Sequence, residues 1–577
     1  MCGIAGSYSP DKKDSFEQLK TMADKLVHRG PDGEGFWIHE NEGVGFAHRR
    51  LSIIDLSERA KQPMHYQNRF TITFNGEIYN YIELKKELEQ KGYSFSSQSD
   101  TEVLMALYAD EGYECLKKLD GMFAFAIWDD VKKELFIARD RFGEKPLYYT
   151  FFENTFYFAS EMKALFSLGI SKLATPDRIF KYLDSNILID EEDTESTFYK
   201  NIRQLDAAHY LILRKAKIEK RCKYWGLENV KINYDIKFHE AIIEFKRLLT
   251  DSIDKRMRTD TTIGSCLSGG IDSSAITLIA KSLSSGDRLE NIFSARFKDF
   301  HKDEGEYIKM VTEKINGSNF YSVYPTAEQL MEDINLFAYT QEEPIYSAST
   351  YNQFCVMRLA KENNTIVLLE GQGADEQLGG YNHYYRHYLS YLVTQNPKSF
   401  LHERKGYKNI HGLNHPYHIP RKMPLWYLGK LMLGTKYKFD LDIRSLLIKD
   451  STQTNLKSLL RYGDRNSMAF SREIRVPFLN HHLSEFIFSL PIDFIFNEGW
   501  TKYILRKSIE GIVPDDITWR KDKVGYEPPQ GKWLEKLLPF YEGFKKKSNY
   551  LDFTGGKKVK EADLTNWKWL MLKLYME

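Results

Sequence analysis

Thr261 to Leu283 read TTIGSCLSGGIDSSAITLIAKSL: a compact apolar run, a glycine pair, then residues that favour helix. A strand passing through a tight turn into a helix predicts an α/β unit. Backbone N–H groups at such a helix start, with the Ser268 and Ser273 hydroxyls, form a cradle for a phosphate anion, and Gly269 and Gly270 let the backbone approach it closely. No lysine stands where a GxxxxGK(S/T) loop carries one, and Asp272 is there instead. A carboxylate about 4 Å from a phosphate charge is opposed by roughly 4 kcal/mol at an effective dielectric of 20, so the pattern calls for a bridging cation, and magnesium is the expected one. The plain alternative is a glycine turn with a serine helix cap.

Downstream, TIVLL from Thr365 ends in EGQGADEQLGGY, which brings Gly371, Gln372, Asp375 and Glu376 to the end of another apolar run. In open α/β sheets the loops at the carboxyl ends of the strands form the ligand crevice, so Asp272 and Asp375 are expected to share one or two Mg²⁺ ions on a triphosphate. From roughly Asn233 onward, runs such as NIFSARF alternate with helical stretches such as EGEYIKMVTEKI, which predicts a parallel sheet with helical crossovers. Tyr381 to Glu577 is mostly helical in pattern, with an aromatic-rich irregular segment from Asn409 to Trp426. The lysine-rich stretch Phe544 to Lys558 reads as a solvated face or a mobile tail.

Upstream, from Cys2 to about Tyr224, the apolar runs are short and alternating, as in FTITFNGEIYN, GMFAFAIWDD and KELFIARD, and predict antiparallel strands. Helical patterns at Tyr81 to Gln90 and Thr101 to Leu119 suggest helices on the outer faces of sheets. Cys2 follows the initiator methionine, and removal of Met1 would leave a thiol and a free α-amine on one residue. That amine, with an unperturbed pKa of about 7.7 to 8.0, can accept the thiol proton for attack on an amide or ester carbonyl. A packed, inert thiol is the bland alternative. Turn-and-polar clusters follow at Arg29 (RGPDGEG), His48 (HRRLSIIDLS), Asn75 (NGEIYN) and Ser99 (SDTEV). An amide-cleaving thiol acting on an amino acid needs oxyanion donors, a cation for the carboxylate and an anion for the ammonium; Asn75 with Gly76, Arg50, and Glu77 with Asp100 are candidates for those tasks.

With 81 Lys plus Arg against 80 Asp plus Glu, a formal balance of +1, the 577-residue chain lacks the basic excess of a nucleic-acid-binding protein. At 42% hydrophobic and 14% aromatic residues it can bury large cores, and its length calls for two or more domains. Five scattered cysteines suit a reducing compartment, and no signal peptide or membrane span is legible, so a cytoplasmic protein is expected.

MCGIAG, RGPDG, AHRRLSIIDL, FNGEIYNY, SDTEVL and RDRFGEKPLYY, in this order, resemble the glutaminase half of glutamine-hydrolysing asparagine synthetases, and SGGIDSS, GADE, DRNSMAFSREIRVPFLN and KYILRKSIEGIVPDDI resemble the synthetase half. The resemblance implies a two-domain α+β and α/β protein: a four-layer αββα N-terminal-nucleophile hydrolase domain over 1–225, a PP-loop ATP pyrophosphatase domain with a parallel sheet over 234–545, and a C-terminal tail or helix over 546–577. It implies that Cys2 attacks the glutamine side-chain amide, with Arg50 on the substrate carboxylate, Asn75 and Gly76 on the oxyanion, and Glu77 and Asp100 on the amine. In the second half it implies ATP and Mg²⁺ as cofactors. There Leu267, Ser268, Gly269, Gly270, Asp272, Ser273, Gly371, Gln372 and the Arg296 backbone lie around ATP, Asp272 and Asp375 hold the metal, and Lys502 neutralises pyrophosphate or the adenylate. Glu376, Glu473 and Arg475 are placed at the acceptor or intermediate. Ammonia would cross between the halves by an internal passage.

Three departures from the family pattern stand out. The chain reads LDAAHY from Leu205 where a Pro-Gly turn is common, Gln372 where the family often has Glu, and Asn480 where PFLD is usual. A glutamine cannot accept a proton as a glutamate can. The expected function is therefore a glutamine-dependent, ATP-consuming amide ligase with aspartate as default acceptor. A second reading sends the nitrogen to another carboxylate, such as a cell-envelope sugar or peptide acid, with Gln372 and Asn480 as its support. A β-lactam-forming relative would not need the intact Cys2 constellation, and a tRNA-modifying enzyme would carry a basic surface. A non-catalytic, nucleotide-binding regulatory protein is the alternative from a different class. The expected partners are glutamine, ATP and a carboxylate acceptor, with no nucleic acid and no membrane; a homodimer stays open.

Overall fold

The computed structural model describes residues 2–9, 16–283, 289–412, 442–522, 527–560 and 564–577. Among the described residues, the first 223 positions supply twelve strands: β1 (Gly3–Tyr8), β2 (Gly33–His39), β3 (Val44–Arg50), β4 (Met64–Tyr66), β5 (Phe70–Ile78), β6 (Gly121–Asp129), β7 (Glu134–Arg139), β8 (Tyr148–Phe152), β9 (Thr155–Ala159), β10 (Arg203–Gln204), β11 (His209–Arg214) and β12 (Lys217–Lys223). They form two six-stranded sheets, ordered β10-β8-β9-β1-β3-β2 and β12-β11-β7-β6-β5-β4, and every pairing within them is antiparallel.

Period-two patterning explains how the sheets stack. Ile4, Phe46, Phe156 and Phe158 of one sheet and Ala124, Ala126, Trp128 and Leu211 of the other share one buried cluster between the sheets. The opposite face of the second sheet, with Phe74, Phe125 and Phe136, is covered by Leu84 and Leu88 of helix Tyr81–Gln90 and by Val103 and Leu107 of helix Asp100–Glu111. Helix Phe16–Asp24 buries Leu19 and Met22 with Ala5 and Ala47 of the first sheet. The layers are thus helix, sheet, sheet, helix. The helix expected to run to Leu119 stops at Glu111, because Gly112 takes a left-handed conformation (φ 59°) that ends it. In LDAAHY it is Ala208 that adopts the left-handed turn (φ 58°), and the Arg139 guanidinium holds that loop through Leu205 O at 2.6 Å.

The second half holds a five-stranded parallel sheet: β13 (Ile263–Cys266), β14 (Leu289–Ala295), β15 (Asn319–Val323), β16 (Val367–Leu369) and β17 (Glu473–Arg475), ordered β15-β14-β13-β16-β17. From β13 the chain builds outward in one direction through β14 and β15, and in the other through β16 and β17. The reversal lies between β13 and β16, where Ser265 pairs with Leu369. A crevice opens beyond the strand ends at such a switch point. The segment 413–426 of the aromatic-rich stretch lies outside the described residues, while Asn409 to His411 close the helix Pro397–His411. The lysines 545 to 547 form the exposed last turn of helix Gln530–Lys547, where they complement the helix dipole. Helix Asn566–Met576 buries Trp567, Trp569 and Leu570.

A single apolar cluster continues from one half into the other, joining Tyr79, Met122 and Phe142 to Phe245, Ile253 and Ile474.

Candidate active site

Cys2 is buried just ahead of β1, which lies in the middle of the first sheet. Its backbone nitrogen donates to Asn75 Oδ1 at 2.9 Å, its carbonyl accepts from Arg29 Nε at 3.0 Å, and its Sγ lies 4.0 Å from Leu51 O. Burial pushes the thiol pKa up, and the nearby Arg50 charge pulls against that rise. Asn75 comes from β5 of the second sheet, so stacking of the two sheets brings the two residues together. Its Nδ2 is buried and has no hydrogen-bond partner among the described residues, an arrangement that costs about 1–3 kcal/mol unless a ligand accepts from it. At Gly76 a Cβ would lie 2.1 Å from Met122 O, so only glycine fits.

Glu77 follows on the same strand. Asp100 opens the helix packed over it and accepts from Ile78 N at 2.9 Å. Burial pushes Asp100 up to about 6 and holds Glu77 well above the usual carboxylate range, with the Glu473 charge adding to the Glu77 rise. Glu77 Oε2 also has no hydrogen-bond partner among the described residues. Arg50, at the end of β3, donates to Ser57 O at 2.9 Å and Asp55 O at 2.5 Å and so shapes the loop after Leu51. The five residues expected around an amino-acid amide are therefore contributed by neighbouring elements: an orphaned donor, a close-packed glycine, two buried carboxyls and a guanidinium.

The second site is a hollow of about 320 Å³ at the switch point of the parallel sheet. Its walls include Leu267, Ser268, Gly270, Asp272, Ser273, Gly371, Gln372, Asp375, Glu376 and Lys502 of the expected set. Ser268 Oγ and Ser273 Oγ lie 3.0 Å apart, and Gly270 N donates to Ser268 Oγ at 3.3 Å, which closes the turn into helix Ile271–Leu283. Gly269 takes a left-handed conformation (φ 82°) and packs against Tyr307, turning the chain without itself lining the hollow. Lys502 Nζ meets Asp272 Oδ1 and Oδ2 at 2.7 and 2.6 Å and Asp375 Oδ1 at 2.6 Å. Lys502 adopts a left-handed backbone (φ 52°), unusual for a side-chain-bearing residue. Gly380 leaves it room, since a Cβ there would lie 2.2 Å from Lys502 Cε. Glu376 accepts from Tyr381 Oη at 2.8 Å and Asn455 Nδ2 at 3.0 Å, and burial pushes it up to about 7. Two carboxylates converging on one cationic centre form an all-oxygen donor set that fits a hard cation held jointly with phosphate oxygens. Among the described residues no group of three or more His, Cys, Asp or Glu forms a metal cage.

Some of the expected residues lie elsewhere. Arg296 is not part of the wall: its guanidinium binds Asp303 at 2.8 Å and its backbone nitrogen donates to Val323 O. Glu473 and Arg475, expected at the acceptor, sit on β17 at the boundary between the halves. Arg475 Nε donates to Glu473 Oε1 at 2.6 Å, its Nη1 to Arg256 O at 2.8 Å, and its Nη2 lies 3.6 Å from Glu77 Oε2. The strand alternation and edge position of β17 turn this pair toward the Cys2 half, beside Glu77, and not into the wall of the hollow. Asn480, read as support for a different acceptor, is also outside the hollow. Its Nδ2 donates to Asp120 Oδ2 at 2.8 Å across the boundary, and its Oδ1 caps helix His481–Ser489 through Leu483 N at 3.0 Å.

The boundary itself supplied residues that the linear motifs did not single out. Arg29 donates to Asp464 Oδ2 and Oδ1, both at 2.8 Å, and to Glu161 Oε1 at 2.7 Å, all fully buried. Arg29 and Asp464 both stand in quoted motifs, RGPDG and DRNSMAF, but their pairing spans 435 positions. Arg258 pairs with Glu83 at 2.7 Å through both nitrogens, and Glu342 accepts from Lys163 N at 2.6 Å. In the hollow, Glu370, Gln353 and the pair Arg520–Glu304 were also missed; Glu370 was legible only as a charged residue immediately after an apolar strand.

Comparison with known proteins matches residues 1–225 to the glutamine amidotransferase domain family and residues 244–550 to the asparagine synthase family. The chain is 32% identical over 588 residues to glutamine-hydrolysing asparagine synthetase 1 of Bacillus subtilis (strain 168), covering 93% of this chain and 88% of that protein. It is 31% identical over 557 residues to glutamine-hydrolysing asparagine synthetase 3 of the same organism, covering 90% and 86%. A protein named amidase chry2 from Gibberella zeae is 27% identical over 613 residues, covering 92% and 90%.

Proposed function

This chain belongs to the asparagine synthase family, and on that premise we propose that it is a glutamine-hydrolysing, ATP-consuming carbon–nitrogen ligase that amidates a carboxylate, with aspartate as the default acceptor. Residues 1–225 would act as the glutaminase, 234–545 as the synthetase, and 546–577 as its C-terminal extension. The observation that carries the reading is the convergence of Asp272 and Asp375 on Lys502 at the mouth of the Ser268–Ser273 turn.

In the first half, removal of Met1 frees the nitrogen now held by Asn75 Oδ1 to take the Cys2 thiol proton. The thiolate attacks the glutamine amide carbon, with Asn75 Nδ2 and the Gly76 N–H stabilising the oxyanion. Arg50 holds the substrate carboxylate, and Glu77 with Asp100 hold its ammonium. Ammonia leaves, and water releases glutamate from the thioester.

In the second half, backbone N–H groups and the Ser268 and Ser273 hydroxyls hold the phosphates of ATP. Magnesium, held by Asp272 and Asp375, would neutralise charge on the triphosphate. The acceptor carboxylate attacks the α-phosphorus, Lys502 takes the departing pyrophosphate charge, and ammonia then displaces AMP from the acyl carbon. Ammonium has no lone pair for this attack, so the nitrogen must travel unprotonated through the packed boundary. The five cysteines, all free, suit a cytoplasmic setting.

One observation favours a second acceptor class: Gln372 lines the hollow and presents an amide there, donating to Glu370 at 3.1 Å. The deciding experiment is a screen of carboxylic acids for glutamine- and ATP-dependent AMP release, with mass spectrometry of the amidated product. Asparagine from aspartate is the expected result. Cys2→Ala should abolish glutamine use yet leave synthesis from high external ammonia; loss of both would contradict separate sites.

A further inference from the structure

Among the described residues, six acidic side chains line the hollow: Asp272, Glu304, Glu370, Asp375, Glu376 and Asp522. Four are bound by cations, Asp272 and Asp375 by Lys502, Glu304 and Asp522 by Arg520. Glu376 is held by Tyr381 and Asn455 beside Asp375, on the pyrophosphate side. Glu370, like Glu376, is held by neutral groups and not by a cation. Its Oε2 accepts from two neutral amides, Gln353 Nε2 at 2.8 Å and Gln372 Nε2 at 3.1 Å, and the Cys266 thiol is its other hydrogen-bond neighbour.

Glu370 also follows β16, whose neighbour β17 carries Arg475 at the boundary with the Cys2 half. Its backbone N–H donates to Arg475 O at 2.9 Å, and the Arg475 guanidinium lies 3.6 Å from Glu77 of the glutamine site. A second connection starts at Gln353, whose Oε1 accepts from Asn466 Nδ2 at 2.9 Å. Asn466 lies two residues beyond Asp464 on helix Asn455–Met468, and Asp464 binds Arg29, which holds the Cys2 carbonyl. Two hydrogen-bonded chains thus link Glu370 to residues of the Cys2 half.

Resting on the function proposed above, we propose that Glu370 is the proton acceptor of the amidation step. Ammonia's lone pair forms the C–N bond at the acyl carbon of the acyl-adenylate. The nitrogen then gives one proton to the Glu370 carboxylate, the acyl C–O bond breaks, and AMP leaves with that electron pair, so the product is the neutral amide. Burial pushes the Glu370 pKa up to about 7, with the Gln353 and Cys266 hydrogen bonds pulling it down, which suits a base working near neutral pH. Gln353 and Gln372 are positioning residues that aim the carboxylate while adding no charge to it.

The test uses full-length E370Q and E370D with the carboxylic acid that the wild-type enzyme adenylates, and with either ammonia or hydroxylamine as nucleophile. Hydroxylamine sheds its proton far more readily than ammonia once it has attacked and has little need of a base. In E370Q, amide synthesis from ammonia is expected to fall by about 100-fold or more, the usual contribution of a positioned base. Hydroxamate formation and acceptor-dependent pyrophosphate release should fall by far less, and E370D should recover part of the ammonia rate. The assignment is overturned if E370Q makes amide from ammonia at nearly the wild-type rate, if pyrophosphate release falls as far as amide synthesis, or if only the acceptor KM changes. If E370Q does not fold, E370D decides, since a shorter carboxylate that leaves the ammonia-to-hydroxylamine ratio unaltered overturns it equally. A wild-type enzyme that adenylates no carboxylic acid would instead overturn the ligase function itself.

Discussion

Lys502 Nζ grips Asp272 through both carboxylate oxygens, at 2.7 and 2.6 Å, from a backbone conformation that side-chain-bearing residues seldom adopt. The two residues are 230 positions apart, and Asp375 joins the same nitrogen from a third loop. Lys502→Met leaves the buried Asp272 and the half-buried Asp375 carboxylates facing each other without their cation. Breaking a buried pair in this way costs about 3–5 kcal/mol, so the denaturation midpoint should drop clearly. Acceptor-dependent pyrophosphate release should fall by about 100-fold or more, consistent with losing a charge-stabilising group. A variant with wild-type midpoint and rate would refute the role.

Asp100 gives the glutaminase a pH signature. A neutral carboxyl cannot hold the substrate ammonium, so the glutamine KM should rise as pH falls through about 6, the value to which burial pushes Asp100. Glu77, Glu473 and Arg475 face the same cluster. In Asp100→Asn, KM should be high throughout and its pH slope largely gone; a wild-type slope would exclude Asp100 as its source. Because the folded carboxyl binds its proton more tightly than the unfolded one, the ligand-free protein should lose stability, through this residue, as pH rises through about 6.

Arg29 ties the Cys2 carbonyl to Asp464 of the other half. Asp464→Asn weakens a bidentate, charge-assisted bond worth about 1.5–3 kcal/mol. Synthesis from glutamine should suffer more than synthesis from free ammonia, with more glutamate released per amide formed. Equal losses on both nitrogen sources, measured by product ratio, would show that Arg29–Asp464 does not couple the halves.

Asn480→Asp places a carboxylate 2.8 Å from Asp120 Oδ2, where an amide now donates. Both groups are buried. The variant should lose about 1–3 kcal/mol of stability, the cost of an unmade buried hydrogen bond, and leave acceptor preference untouched. A change of preferred acceptor would return Asn480 to the pocket side of the argument.

Much of this protein was legible in short segments, for a physical reason: a phosphate-cradling turn is built from consecutive residues. TTIGSCLSGGIDSS specified its own strand, turn and helix start, because local hydrogen bonds and glycine geometry suffice for that unit. EGQGADE and the clusters at Asn75 and Ser99 likewise announced polar groups at the ends of apolar strands. The same patterns separated an antiparallel first half from a parallel second half.

Pairings between distant segments were not legible, because they depend on which faces the packing brings together. Glu473 and Arg475 looked like acceptor residues until the edge position of β17 put them beside Glu77. Asn480 looked like a specificity change and proved to be a hydrogen bond across the boundary. Glu370 was one more acid after a strand, and the role proposed for it depends on the neutral amides the fold sets beside it and on the cations it sets beside four other acids of that hollow. Residue order dictated the local cradles and the leading thiol, whereas burial and charge pairing, properties of three-dimensional neighbourhood, decided which ionisable groups meet in the hollow and which pair across the boundary between the halves.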